Sequence, residues 1–184
     1  MRAFVALEIP DRGTLDNISA LQGEISAAGA DLKLVERENL HFTVKFLGEI
    51  SDVEAKDAAA KLRALDLNGA DVTVKGVGAF PSPSRPTVIW VGLARGDEEK
   101  VNPIAAAAVH ALEGIGEHDT RPFVAHITVA RVRSGRNVGI LASLLRASSE
   151  RVFGSFRLAA LKLVSSNLTP RGPIYTDLEV YPLK

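Results

Sequence analysis

A near-repetition of one strand pattern constrains this chain more than any other feature. The segment NLHFTVKFLG, which contains His41, returns 85 residues later as FVAHITVARV, which contains His126. Both segments alternate apolar and polar residues with the period of two that a half-buried strand requires. The repetition predicts a single domain over residues 1–184, built from two pseudo-symmetric α+β lobes. In each lobe we expect an antiparallel sheet with helices on its outer face. Motif 1 at 41–44 and motif 2 at 126–129 would meet in a cleft between the lobes.

Periodicity and capping signals predict the other elements. In SDVE, Ser51 and Glu54 form a capping-box pattern, which predicts a helix from there to about residue 65. The segment PSPSRP at 81–86 has three prolines and predicts an exposed loop that forms a lip over the cleft. Further strands are expected at about 2–9, 32–35, 70–78, 87–93, 152–164 and 173–181, and further helices at about 11–28, 97–112 and 138–147.

Composition excludes several classes of function. Lys plus Arg and Asp plus Glu both total 22, so the chain lacks the basic excess that tracks a long nucleic acid, and a nucleic-acid substrate would be bound at a local end. The absence of cysteine excludes a disulfide framework, a catalytic thiol and a thiolate metal site. No apolar run approaches the roughly 18 residues that span a bilayer, and MRAFVALEIP is typical of a first strand rather than a signal peptide. We expect a soluble, cytoplasmic protein.

Each motif joins an imidazole to a hydroxyl on one face of its strand. Side chains on a strand alternate between faces, so His41 lies beside Thr43 and His126 beside Thr128. Opening a cyclic phosphate requires a base for the attacking water, an acid for the leaving ribose oxygen, and donors for the phosphoryl oxygens. One such motif more often contains a structural histidine bonded to a carbonyl. Its occurrence at two of only four histidines favours a catalytic pair.

The residues around the motifs allow further expectations. Alternation places Phe46 in apolar packing and Lys45 on the motif face, as a second cation or as an ordinary solvent-facing lysine. Phe80 would either stack on a base or anchor its loop as a buried side chain. His110 and His118 have no Asp, Glu or His companion at metal-ligand spacing, so we expect no metal site and no cofactor.

The sequence resembles the 2H phosphoesterases, and among them the RNA 2′,3′-cyclic phosphodiesterases once described as 2′-5′ RNA ligases. The resemblance covers nearly the whole chain and is carried by RAFVALEIP, NLHFTVKFLGEI, GAFPSPSRPTVIWVGL, HITVARV and LVSSNLTPRGPIYTDLEVYPL. It implies a two-lobed α+β fold with a cleft, in which His41 is the proton donor and His126 the proton acceptor. It also implies that Thr43 and Thr128 hold the phosphate.

The family commonly has a basic residue shortly after the second motif, and Arg131 occupies that place. The resemblance therefore implies that Arg131 binds substrate, which suits a guanidinium. Strict alternation puts Arg131 on the face opposite to His126, so this role requires a bulge, a strand end or a long reach. An ordinary surface arginine is the alternative.

Three functions remain open. The first is metal-independent hydrolysis of an RNA 2′,3′-cyclic phosphate end to the 2′-phosphomonoester that the resemblance implies. The second is 2′-5′ joining of RNA or its reversal, and the third is a non-catalytic module that binds RNA ends. Hydrolysis is favoured because water is abundant, no nucleotidylation lysine motif is present, and paired histidines suit proton transfer. Expected partners are RNA with a cyclic phosphate end or small cyclic nucleotides, with no membrane, and we expect a monomer.

Overall fold

The chain is described over residues 1–184 by a computed structural model with nine strands and four helices. The strands are β1 Arg2–Glu8, β2 Leu32–Leu34, β3 His41–Glu49, β4 Ala70–Ser82, β5 Arg85–Leu93, β6 Ile127–Val132, β7 Val152–Leu158, β8 Ala160–Thr169 and β9 Gly172–Pro182. The helices are α1 Arg12–Ala27, α2 Asp52–Arg63, α3 Glu98–Ala111 and α4 Val138–Ala147, with a short 3₁₀ turn at Arg37–Asn39. None of the helices has the length and apolarity needed to cross a membrane.

Helix starts follow the capping signals in the sequence. At α2, the Glu54 amide donates to Ser51 Oγ at 3.2 Å and the Ser51 amide donates to Glu54 Oε2 at 2.8 Å, which confirms the predicted capping box. At α1, Asp11 Oδ2 accepts from the Thr14 amide at 2.9 Å. These bonds satisfy amides that have no partner within the helix.

All strand pairs are antiparallel, in the order β7-β4-β5-β6-β3-β1-β8-β9, and β2 adds to β6. The α+β fold with antiparallel sheets is therefore confirmed. Strands β3 and β6 are joined by one residue pair, Phe42 with Ile127, so the sheet divides there into two lobes. One lobe contains β3, β1, β8 and β9, and the other contains β2, β6, β5, β4 and β7. The first lobe takes its strands from the two ends of the chain, and the second takes most of its strands from the middle. The lobes therefore do not correspond to the two halves of the sequence.

One face of the sheet carries the main core and the other carries the cleft. On β1, Val5 and Leu7 are fully buried in the large apolar cluster beneath the helices. Phe4 and Ala6 alternate with them and belong to a small cluster on the opposite face, against Val164. Because both lobes share the large cluster, they rest on one continuous core.

Two expected elements differ in the structure. The single strand expected at 152–164 is two strands, because the chain leaves β4 after β7 and crosses to β1 as β8. The 81–86 segment is a tight hairpin rather than a loop, since Pro81 pairs with Pro86 and Ser82 with Arg85. Prolines are tolerated at this tip because β7 pairs with β4 only as far as Lys75, so the outer side of the hairpin has no ladder to complete.

Candidate active site

The two motifs meet at the single pair that joins the lobes. Phe42 of β3 lies opposite Ile127 of β6, and both side chains enter the core. His41 and Thr43 flank Phe42, and His126 and Thr128 flank Ile127, so this one pair brings the four motif residues close together. All four motif residues line one cleft.

A β-bulge follows motif 1 and reverses the faces of the next residues. Val44 is the extra residue, because Thr43 pairs with Ala6 and Lys45 with Val5. The register sets Lys45 opposite Val5 rather than on the strand face of His41, yet Lys45 is half-buried, lines the same cleft and lies near Asp119. The expectation for the next residue is wrong. Phe46 pairs with Phe4 on the cleft face and is 48% exposed.

A second β-bulge occupies the equivalent place after motif 2. Thr128 pairs with Trp90 and Ala130 with Ile89, which leaves Val129 as the extra residue, and both Val129 and Ala130 are fully buried. The strand therefore loses its alternation for one step. Arg131 returns to the face of Thr128 and lines the cleft. The bulge that a substrate-binding role for Arg131 requires is present.

Backbone carbonyls orient both imidazoles in the same way. His41 Nδ1 donates to the Asn39 carbonyl at 2.6 Å, and His126 Nδ1 donates to the Val124 carbonyl at 2.7 Å. A carbonyl oxygen can only accept, so it fixes the proton on Nδ1 and leaves Nε2 for chemistry. In the neutral ring, His41 Nε2 accepts from the Thr43 hydroxyl at 2.7 Å. In both motifs the carbonyl belongs to the residue two positions before the histidine.

Aromatic rings enclose His41 more than His126. Phe4 stacks on the His41 ring with centroids 5.0 Å apart, and Tyr175 meets the ring edge-on at 5.7 Å. Burial lowers the pKa of His41 below its usual value, the carbonyl of Asn39 opposes that effect, and the nearby His126 adds to it. His126 is half-buried, with Phe80 edge-on at 5.1 Å. The two histidines therefore differ in their environment, although their hydrogen bonds match.

The cleft has a volume of about 990 Å³, enough for a nucleotide or more. Phe80 is 37% exposed within it, so it is not a buried loop anchor. At one end, the Arg121 guanidinium holds the pKa of the Asp119 carboxyl well below its usual range through paired hydrogen bonds. His110 and His118 lie outside the cleft, where His110 contacts Glu113 at 3.0 Å on an exposed surface.

Asn39 and Tyr175 both contact His41, and neither belongs to a recognisable sequence motif. Asn39 is 7% exposed, and its side-chain amide donates to the Pro173 carbonyl at 3.2 Å. This bond ties the 3₁₀ turn before His41 to the start of β9, which carries Tyr175. A buried asparagine beside the first motif is recognisable as a support only when its distant partner is known.

The sequence model of the family "LigT like Phosphoesterase" matches residues 9–90 and 93–175, with one histidine motif in each match. The matches cover most of the chain, and the protein therefore belongs to this family of phosphoesterases and is a hydrolase.

Curated relatives and solved structures agree with that assignment. Proteins named RNA 2′,3′-cyclic phosphodiesterase are 35% identical in Methanothermobacter thermautotrophicus, over 100% of this chain and 99% of the relative, and 34% identical in Archaeoglobus fulgidus, over 98% and 99%. The crystal structure of TT0787 of Thermus thermophilus is 28% identical, with a TM-score of 0.75 over 100% of this chain and 98% of that one. E. coli LigT complexed with 3′-AMP shares the fold, with 22% identity and a TM-score of 0.75 over 99% and 96%.

Proposed function

We propose that this protein hydrolyses RNA or nucleotide 2′,3′-cyclic phosphate ends to 2′-phosphomonoesters, without a metal ion, by acid-base catalysis between His41 and His126. The observation that carries the proposal is the register of β3 and β6, which brings two carbonyl-oriented imidazoles into one cleft. The names of the curated relatives support the same substrate class.

The proton transfers take place at the two Nε2 atoms, because both Nδ1 atoms are bonded to backbone carbonyls. His126 Nε2 has no protein partner and accepts the proton of a water molecule as the water oxygen attacks phosphorus. The bond between phosphorus and the ribose 3′-oxygen breaks, and protonated His41 gives its Nε2 proton to that oxygen. The products are a 3′-hydroxyl and a 2′-phosphomonoester. The two protons then return to their starting positions through solvent.

The environment of His41 suits a proton donor. Burial lowers its pKa, so protonated His41 releases its proton more readily than an exposed imidazolium does. A bound phosphodiester places a negative charge beside the ring, which favours the protonated form when substrate is present. Thr43 lies 2.7 Å from His41 Nε2 in the unbound protein, and on substrate binding the 3′-oxygen takes its place while the Thr43 hydroxyl turns to a phosphoryl oxygen.

The remaining cleft residues hold the substrate. Thr43 and Thr128 donate hydrogen bonds to the oxygens of the cyclic phosphate, and Arg131, further along β6, binds the substrate away from the reacting phosphorus. Phe80, which is exposed beside His126, offers a surface on which the terminal base stacks. The complex of E. coli LigT with 3′-AMP is consistent with a nucleotide in such a cleft.

The test is turnover of an oligoribonucleotide that ends in a 2′,3′-cyclic phosphate, in the presence of EDTA, with identification of the product isomer. We expect the 2′-phosphomonoester from the wild type. His41→Gln and His126→Gln should each lower kcat by about 10²- to 10⁴-fold, because each removes a positioned acid or base. His110→Gln is the matched control and should retain wild-type kcat, since His110 is exposed on α3.

Each departure from this result has a defined meaning. Wild-type rates in either motif variant would refute the assignment of the two histidines. Faster formation of a linked RNA from added 5′-hydroxyl oligonucleotide than of monoester would make joining the main activity. Binding without any turnover would identify a non-catalytic RNA-end module.

A further inference from the structure

Three cations that line the cleft have no acidic partner, and two of them lie on the wall formed by β2 and β6. Lys33 on β2, Arg131 on β6 and Arg171 in the turn between β8 and β9 all line the cleft. None of them takes part in any ion pair of the protein. The chain has a formal net charge of zero, so this wall is a local excess of positive charge rather than part of a basic surface.

Two neighbouring cations outside the wall have acidic partners. Arg37 pairs with Asp16 at 2.8 Å, and Arg133 lies 3.9 Å from Asp31. The carboxylates that line the cleft are Glu36, which is exposed, and Asp119, which binds Arg121 at the other end. Lys45 also lines the cleft without an ion pair, but it lies near Asp119.

Lys33 and Arg131 lie directly opposite each other in the β2–β6 pair. Paired residues of antiparallel strands project from the same face, which the bulge at Val129 makes the face of Thr128. Like charges in directly opposed positions destabilise a sheet, and an anion between them reverses that effect. Thr128 and Arg131 pair with Trp90 and Val88, which are two residues apart, so the bulge sets their separation at roughly 7 Å along the strand. That separation leaves room for one nucleotide.

We propose that Lys33 and Arg131 form a second phosphate subsite, which binds the phosphodiester immediately 5′ to the terminal cyclic phosphate, and that Arg171 continues this path. The inference rests on the proposed function and deepens it. It makes an oligoribonucleotide the preferred substrate, because a nucleoside cyclic phosphate has no second phosphate to place there.

The experiment compares three substrates: a nucleoside 2′,3′-cyclic phosphate, a dinucleotide with the same end, and that dinucleotide with an uncharged methylphosphonate linkage. The charged dinucleotide should have a kcat/KM about tenfold higher than the uncharged one, the size of one charge-assisted hydrogen bond. Lys33→Gln should bring this ratio close to one. Lys56→Gln, at an exposed lysine on α2 outside the cleft, is the control and should keep the wild-type ratio.

Salt provides a second readout. For the wild type, the slope of log KM against log salt should be steeper for the charged dinucleotide by about 0.7, the value for one neutralised phosphate on a single strand. Lys33→Gln should remove that difference. If Lys33→Gln only disturbed the fold, the difference between the salt slopes of the charged and uncharged dinucleotides would stay as in the wild type.

Equal kcat/KM for the two dinucleotides in the wild type would overturn the subsite, as would an unchanged ratio in Lys33→Gln. If none of the three substrates is turned over, the proposed function fails, and equilibrium binding of the two dinucleotides decides the subsite separately. Tighter binding of the charged dinucleotide that is lost in Lys33→Gln would support it, and equal binding would refute it.

Discussion

Replacing Asn39 by alanine tests how the structure positions His41. The Asn39 side chain is 7% exposed and donates to the Pro173 carbonyl at 3.2 Å, while its backbone carbonyl holds His41 Nδ1. The substitution removes the first bond and keeps the second. It therefore releases the 3₁₀ turn from β9, and with it the contact between His41 and Tyr175.

The loss in the free energy of unfolding comes from the broken hydrogen bond and from the Pro173 carbonyl that loses its donor. Losing the bond costs about 1 kcal/mol, and the partly buried Pro173 carbonyl left without its donor raises the total to about 1–2 kcal/mol. Urea denaturation should show this as a lower midpoint with an unchanged slope. A loosely held His41 should lower kcat by about 10- to 100-fold, with a smaller effect on KM. Asn167→Ala is the control, because Asn167 is exposed on β8, and should change stability by less than about 0.5 kcal/mol.

Asn39→Asp separates positioning from general loss of structure. A carboxylate cannot donate to Pro173, so this variant should lose at least as much stability as Asn39→Ala. Its negative charge close to His41 should raise the pKa of the imidazole. The alkaline limb of kcat/KM, which we assign to the proton donor His41, should therefore move to higher pH. Wild-type stability and kcat in Asn39→Ala, or an alkaline limb that moves to lower pH in Asn39→Asp, would refute this reasoning.

Two further predictions concern stability. Because burial lowers the pKa of folded His41, the unfolded chain takes up its proton first as pH falls. The free energy of unfolding should thus decrease below about pH 6.5, the usual histidine pKa, until folded His41 is also protonated. Urea titrations at several pH values should show less of this decrease in His41→Gln, and an equal decrease would contradict the prediction. Gly78→Ala would overlap the Trp90 ring and should cost about 1–3 kcal/mol, whereas Gly23→Ala in α1, with open space around it, should add about 0.5–1 kcal/mol. Thermal melts check both, and the reverse order would contradict them.

Local patterns in the sequence specify most of the elements and the four motif residues. The capping box at Ser51 and Glu54 starts α2 where expected, because its bonds join residues three positions apart. Alternation correctly places Phe42 and Ile127 in the core, so their neighbours His41 and His126 face the cleft. The near-repetition of the two motif strands indicates that both belong to one site.

Tertiary structure decides which other side chains join that site. The bulges at Val44 and Val129 bring Phe46 and Arg131 to the cleft face, because each strand must fit the register of its neighbour. The alternation of apolar and polar residues along one strand does not reveal how that strand pairs with its neighbour. For the same reason, the role of Asn39 depends on Pro173, which is 134 positions away in the chain. The sequence alone predicted the proposed reacting groups, and long-range strand pairing determined which residues surround them.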